Sequence, residues 1–284
     1  MSSNFTLLWL TLFSIFQFFT VFLVDILYNT IMLNERIKLR ISKFLSLIIE
    51  DDSFNFGYYK SNGTSNKNGF LNKLIPNLLE IRKIRREKIH DTLSDKYCRK
   101  DAETIYQVVN NVIDEIYFDD EELNNLEDEV WIRPSFGSLN TFDEIINFEL
   151  SITCKDLSSY LRSLLNEYVR FPVYKREQIF FYNELGLIDQ AINKQSIAVI
   201  TYKEKRLKCL IASKQYDCNF TQDNYLFIFD IENRQTKTLL LNNIQNIYLQ
   251  KQKYKPTTDE IVIIEHYIND DLYVEDLKKE REEK

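Results

Sequence analysis

Hydrophobic and basic residues alternate without interruption between Arg36 and Ile41. In a β-strand this pattern places Arg36, Lys38 and Arg40 on one face and the branched apolar residues between them on the other. Ser42 follows at a position suited to capping a helix, and apolar residues then recur at helical spacing. The pattern therefore predicts a strand with one cationic face, followed by a helix.

A second helical pattern runs from Phe70 to Ile81, after Gly57 and a polar loop at 60–67. Pro76 lies inside this pattern, and an interior proline costs a helix on the order of 3 kcal/mol. We therefore expect the second helix to bend at Pro76 or to end early. The predicted order is strand, helix, helix.

The C-terminal half is rich in strand-like runs separated by short polar breaks. A helix is predicted from Asn183 to Asn193, before the first of these runs. The runs are Ile197–Tyr202, Leu207–Ala212, Tyr225–Asp230, Lys237–Leu241 and Ile244–Leu249. Five short strands at this spacing predict a small β-barrel.

These patterns predict an α+β chain in five parts. They are a hydrophobic segment at 1–31, the strand-helix-helix unit at 34–90, a helical acidic connector at 91–182, the barrel at 183–252 and a helical tail at 253–284. The acidic clusters of the connector are interpreted as a solvated surface, because no histidine or glycine-rich turn accompanies them.

Composition argues against catalysis. The chain has 5 glycines and 2 histidines, too few for most phosphate-binding loops and histidine-based metal sites. The 4 cysteines form no CxxC pair, which is typical of reduced thiols in the cytoplasm. We expect a protein that is not an enzyme, with no catalytic residue, no metal site and no cofactor.

The segment from Phe5 to Val24 contains no charged residue and is long enough to span a bilayer. If it is inserted, the basic residues that follow would leave the rest of the chain in the cytoplasm. Alternatively, translation starts at Met32 and the apolar segment is not part of the protein. Both interpretations stay open at the sequence level.

Positive charge is concentrated around the predicted strand. Residues 34–90 contain 12 Lys or Arg against 6 Asp or Glu, whereas the whole chain has a net charge of −7. A local basic surface on an acidic chain is typical of nucleic-acid binding. The alternative is a solvated edge strand protected by its charges against aggregation.

The strand-helix-helix unit resembles the ribbon-helix-helix family, in which strands from two chains pair and enter the major groove of DNA. A lone strand cannot form a sheet, so the resemblance implies a homodimer. It also implies base and phosphate contacts by Arg36, Lys38 and Arg40. The start of the second helix, at Asn66, Lys67 and Asn68, would contact a backbone phosphate.

The C-terminal part resembles a WYL domain, an SH3- or Sm-like barrel. The resemblance rests on Ala191-Ile192, Ile200–Tyr202, the Tyr225-Leu226 pair and Ile244–Ile247. The stretch from Tyr168 to Phe180 also resembles the segment before the barrel in ribbon-helix-helix WYL proteins of Firmicutes. Some of those proteins are accessories of RNA-targeting CRISPR systems.

The chain departs from the WYL pattern at four positions. Asn224 replaces the tryptophan, Ala212 a proline, and Leu240 and Asn243 two arginines. The residues that remain suited to ligand binding are Tyr202, Arg206, Lys208 and Tyr225. They could stack a base and contact a phosphate, or the two tyrosines could be core residues and the two cations exposed hairpin charges.

The sequence thus favours a cytoplasmic, homodimeric regulator that binds DNA through its ribbon and senses a nucleotide or single-stranded nucleic acid through its barrel. A second hypothesis is an RNA-binding accessory protein of a CRISPR defence system. A third is a membrane-anchored scaffold that uses residues 5–24.

Overall fold

The structure is a computed structural model that describes residues 37–117, 128–132, 156–216 and 223–282. These residues form a mixed α+β fold, as the sequence predicts. None of the described helices is long and apolar enough to cross a membrane. The apolar segment at 5–24, Met32 and Arg36 lie outside the described residues.

Among the described residues, the N-terminal part contains two strands and three helices. They are β1 (Ile37–Ile41), α1 (Lys43–Asn55), α2 (Lys67–Ser94), α3 (Arg99–Tyr117) and β2 (Asp128–Ile132). Ser42 caps α1, where its side chain accepts a hydrogen bond from the amide of Leu45 at 3.2 Å. Gly57 follows the end of α1 with a φ of 80°, a conformation that glycine adopts without strain.

Strand β1 pairs antiparallel with β2 of the same chain, with Leu39 opposite Val130. Leu39 and Ile41 are fully buried in the main core. The expectation that β1 lacks a pairing strand and a covering core within its own chain was therefore wrong, because β2 pairs with it and the core covers its apolar face. Homodimerisation itself stays a prediction.

Helix α2 continues through Pro76 and ends at Ser94, so the expectation of an early end was wrong. Residues on both sides of the proline, including Leu74 and Leu78, are buried in the main core. The side-chain amide of Asn77 donates to the carbonyl of Phe180 at 2.8 Å. Packing and this bond offset the backbone hydrogen bond that a proline cannot make.

Between 156 and the sheet, where the structure describes the chain again, there are three short helices: α4 (Leu157–Val169), α5 (Val173–Phe180) and α6 (Tyr182–Lys194). A buried ion pair links them to α1, because Arg176 donates to both carboxylate oxygens of Asp52 at 2.7 and 2.9 Å. The hydroxyl of Tyr168 donates to the same carboxylate at 2.7 Å. Burial, with the nearby charge of Asp52, raises the pKa of Tyr168 well above its usual range, so this hydroxyl stays a donor.

All five predicted C-terminal strands are present. They are β3 (Ser196–Tyr202), β4 (Lys205–Tyr216), β5 (Asn224–Asp230), β6 (Gln235–Leu240) and β7 (Ile244–Lys253). They form one antiparallel sheet in the order β6-β5-β4-β3-β7. Because β6 and β7 are edges that do not pair with each other, the sheet is open, and the prediction of a closed barrel was wrong.

The two faces of the sheet have different surroundings. One face, which includes Ile200 and Ile228, joins the main core beneath the helices. The opposite face is covered at β5 and β6 by α7 (Thr258–Asn269) and α8 (Tyr273–Glu282). These helices pack on Phe227 and Phe229, so a helical layer lies where strand closure was expected.

Candidate nucleic-acid-binding site

The cationic face of β1 is exposed but is partly neutralised. The side chains of Lys38 and Arg40 are 46% and 63% exposed, and both approach Glu129 of β2, at 2.7 and 3.7 Å. Arg40 lies directly opposite Glu129 in the register. Two of the three predicted ribbon cations therefore share a carboxylate, and Arg36 lies outside the described residues.

The start of α2 is bound within the chain. Asn66 caps the helix by accepting a hydrogen bond from the amide of Gly69 at 3.1 Å. Lys67 pairs with Glu50 at 2.8 Å and donates to Ser46 at 2.9 Å. Asn68 is exposed beside them. Two of the three residues predicted to contact a phosphate thus hold α2 in place.

The four residues predicted to form a ligand site do not lie in one pocket. Tyr202 is buried in the main core, where its hydroxyl accepts a hydrogen bond from the amide of Leu240 at 3.3 Å. Tyr225 is buried on the other face of the sheet, stacked on Tyr273 with ring centroids 5.9 Å apart. Both tyrosines are therefore core residues, which is the alternative to ligand binding that the sequence left open for them.

Arg206 and Lys208 instead lie on the outer face of the sheet, beside a tyrosine of β7. Directly paired residues of antiparallel strands point to the same face, and so do residues two apart along a strand. The register gives two cross-strand rows through β4, β3 and β7: Lys208, Val199 and Tyr248 form one, and Arg206, Thr201 and Asn246 form the other.

Tyr248 is 63% exposed, more than any other large hydrophobic side chain of the described residues. Neighbouring strands are about 4.8 Å apart, so the backbones of Lys208 and Tyr248 are about 10 Å apart across β3. Within the described part of the chain, neither Arg206 nor Lys208 forms an ion pair. We call the surface formed by Arg206, Lys208, Asn246 and Tyr248 the open sheet face.

Sequence reasoning missed Tyr248, although a signal was present. Ile244 and Ile247 face the core, whereas Asn246 and Tyr248 are exposed. An aromatic residue at a solvent-facing position of a strand has no core to fill, and this marks it as a candidate contact. The WYL resemblance ended at Ile247, one residue before Tyr248.

Asn224, which stands where the WYL pattern has tryptophan, is buried at the start of β5. Its backbone amide donates to the carboxylate of Glu177 at 2.9 Å, and its side-chain amide donates to the carbonyl of Tyr174 at 2.7 Å. Gln178 donates to its side-chain oxygen at 2.7 Å. Asn224, the residue that departs from the pattern, thus joins α5 to the sheet by hydrogen bonds.

The described residues give little support to metal or thiol chemistry. Among them, no three His, Cys, Asp or Glu side chains are grouped to hold a metal ion. Burial, with a contribution from the charge of Asp230, raises the pKa of Cys209 to about 12. This thiol is therefore protonated at neutral pH, unlike a nucleophile or a metal ligand.

Fold and site together define an α+β protein with an exposed aromatic and cationic surface on an open antiparallel sheet. No protein-family model matches the chain, and no curated protein matches it either. Among solved structures, the chain is similar to the crystal structure of a CRISPR Cas-related protein, with a TM-score of 0.61 and 14% sequence identity. The match covers 82% of this chain and 70% of that chain. At this identity the similarity is one of fold alone.

Proposed function

We propose that this protein binds nucleic acid and acts by binding rather than by catalysis, with single-stranded RNA on the open sheet face. The observation that carries the proposal is the position of Tyr248 beside Arg206 and Lys208, two cations without an acidic partner among the described residues. Proteins that bind single strands combine an aromatic surface for base stacking with cations that follow the phosphates.

The open sheet face supplies each part of this interaction. The ring of Tyr248 offers a surface for a base, and Arg206 and Lys208 lie two strands away, on β4, for the phosphates. Asn246 and Thr201 add hydrogen-bonding groups between them. Since the chain as a whole is acidic, these cations are a local attraction for a polyanion.

Two further observations favour an accessory role in a CRISPR system. The fold is similar to that of a CRISPR Cas-related protein. The order β7-β3-β4-β5-β6, with a short 3₁₀ helix at Leu241–Asn243 before the last strand, is also the order expected of the SH3- or Sm-like sheet of a WYL domain. In this proposal the sheet is WYL-like, with an open edge.

The second candidate function is a homodimeric, DNA-binding regulator of the ribbon-helix-helix type. It is favoured by the exposed side chains of Lys38 and Arg40 on β1. It is weakened by Glu129, which would meet the same phosphates with a negative charge. A membrane-anchored scaffold would depend on residues 5–24, which lie outside the described part of the chain.

Charge reversal on each surface separates the two candidates. We expect Arg206→Glu with Lys208→Glu to weaken binding of a fluorescent single-stranded RNA at least tenfold, because each change removes an attraction and adds a repulsion. The matched control is Lys38→Glu with Arg40→Glu, which should leave RNA affinity within about twofold. Lys38, Arg40 and Arg206 are exposed, and Lys208 is half-buried on the outer face of the sheet, so folding should be preserved.

Affinities are measured by anisotropy over a range of salt concentrations, with duplex DNA as the second probe. Loss of binding in the β1 variant alone would reject the open sheet face and support the DNA-binding regulator. A wild-type protein that binds neither probe at low salt would refute both candidates.

A further inference from the structure

A cleft of about 640 Å³ lies on the helical side of the sheet, away from the open sheet face. Its walls come from α2, α5, α6 and the end of β4, so it lies where the helical part meets the sheet. In β4, Lys214 pairs with Leu226 of β5, whose side chain belongs to the main core beneath the helices. The cleft and the open sheet face are therefore two separate surfaces.

The cleft has an apolar wall and a cationic rim. Its apolar residues are Ile81, Phe171, Ile179, Tyr182, Leu185 and Leu187. Its charged residues are three cations, Arg85, Lys175 and Lys214, and one carboxylate, Asp189. A volume of this size, with mostly apolar walls and a few charged groups, is typical of small-molecule sites.

Two of the cations, Lys175 and Lys214, lie on elements that an aromatic stack joins. Tyr174 of α5 and Tyr216 of β4 stack with ring centroids 4.8 Å apart and planes 7° apart. Lys175 is adjacent to Tyr174, and Lys214 is two residues before Tyr216, so the stack holds both lysines near the junction of α5 and β4.

The rim cations differ in how far they are already engaged. Lys214 pairs with Asp189 at 2.7 Å and Arg85 pairs with Glu167 at 2.7 Å. Lys175 donates only to the neutral side chain of Gln178 at 3.2 Å, among the described contacts. A ligand anion would therefore bind Lys175 first and compete with Asp189 for Lys214.

We propose that this cleft binds a small phosphorylated ligand with a planar ring, of the size of a nucleoside monophosphate. The phosphate would bind between Lys175 and Lys214, and the ring would pack on the apolar wall beside Phe171 and Tyr182. Because walls from the helical part and the sheet both contact the ligand, its binding would stabilise their junction.

Calorimetry on the full chain tests the proposal, with AMP and UMP as probes. Inorganic phosphate and adenosine represent the two halves of the ligand. We expect saturable binding of a nucleotide at micromolar to millimolar concentration, and binding at least about tenfold weaker for either half. Lys175→Ala with Lys214→Ala should weaken nucleotide binding at least about tenfold, since both lysines are exposed and dispensable for folding.

Two variants make the result specific. Asp189→Asn removes the carboxylate that competes for Lys214 and should strengthen nucleotide binding severalfold. If the Lys214–Asp189 ion pair only stabilised the fold, this change would not raise the affinity. Arg206→Glu with Lys208→Glu should leave nucleotide binding unchanged, which separates this cleft from the proposed RNA surface. Absence of saturable binding, or binding that the lysine changes leave intact, would refute the proposal.

Discussion

The protein places cationic residues on two different β-surfaces, the β1-β2 ribbon and the open sheet face. In both, alternation along a strand puts two cations on an exposed side, Lys38 and Arg40 in one case and Arg206 and Lys208 in the other. The surfaces differ in what lies across the strand. Glu129 faces the ribbon cations, whereas the register places Val199, Thr201 and Tyr248 across from the sheet cations.

From this difference we infer that cross-strand neighbours decide whether an alternating basic strand can bind an anion. An exposed ion pair contributes only about 0–1 kcal/mol to stability. The carboxylate of such a pair nevertheless weakens phosphate binding by the cations, because it repels the phosphate that the cations attract. A strand pattern read without its partner strand therefore overstates the binding capacity of the ribbon.

The largest effect on stability is expected at the buried ion pair that links the N-terminal helices to the helices on the sheet. Asp52, near the C-terminal end of α1, binds Arg176 of α5, which packs against the sheet. Removing one partner leaves a buried charge unpaired, so Asp52→Ala should lower the free energy of unfolding by about 3–5 kcal/mol. Urea denaturation followed by circular dichroism measures it.

The matched control is Asp51→Ala, because Asp51 is the neighbouring residue of α1 and is exposed. Its effect should stay within about 0.5 kcal/mol. Equal effects of the two changes would mean that the buried pair does not hold the two parts together.

The next effect concerns Tyr248, the exposed aromatic residue of the open sheet face. Tyr248→Ala should weaken binding of single-stranded RNA by about 1–2 kcal/mol, or roughly 5- to 30-fold, through loss of base stacking. Tyr248→Phe keeps the ring and should bind nearly as well as wild type. Anisotropy at fixed salt measures both affinities.

Tyr59 supplies the control for this change, since it is a similarly exposed tyrosine at 60% in the helical part. Tyr59→Ala should leave RNA affinity unchanged. If both tyrosine changes weaken binding equally, stacking at the open sheet face is excluded.

Much of the fold follows from periodicity alone. The strand at 37–41, the starts of the two helices after it and the five C-terminal strands lie within a few residues of their predicted positions, because burial on one face imposes periods of 2.0 and 3.6 residues. The second helix continues to Ser94, well past the apolar pattern that predicted it. Closure of the sheet could not be predicted, since it depends on where α7 and α8 pack. Pairing of β1 with β2 could not be predicted either, because 86 residues lie between Ile41 and Asp128 in the chain.

The candidate site was predicted only in part, for the same reason. Arg206 and Lys208 follow from a hairpin with charged residues, but Tyr202 and Tyr225 were grouped with them through the resemblance to the WYL pattern. Which face a tyrosine occupies depends on register, and the β-bulge between Ile211 and Ser213 shifts that register within β4. Tyr248 joins the cations only through pairing of β7 with β3.

The smallest effect tests whether the charge of Glu129 causes the expected difference in phosphate binding between the ribbon and the open sheet face. Glu129→Gln keeps the size of the side chain and removes its charge, so Lys38 and Arg40 become available to phosphates. Duplex DNA affinity at low salt should rise about two- to fivefold, while the free energy of unfolding changes by less than about 1 kcal/mol. Glu265→Gln on the exposed side of α7 changes the net charge equally and should raise affinity less. If the two changes act alike, the gain reflects net charge alone, and the carboxylate across the strand does not set the binding capacity of the ribbon.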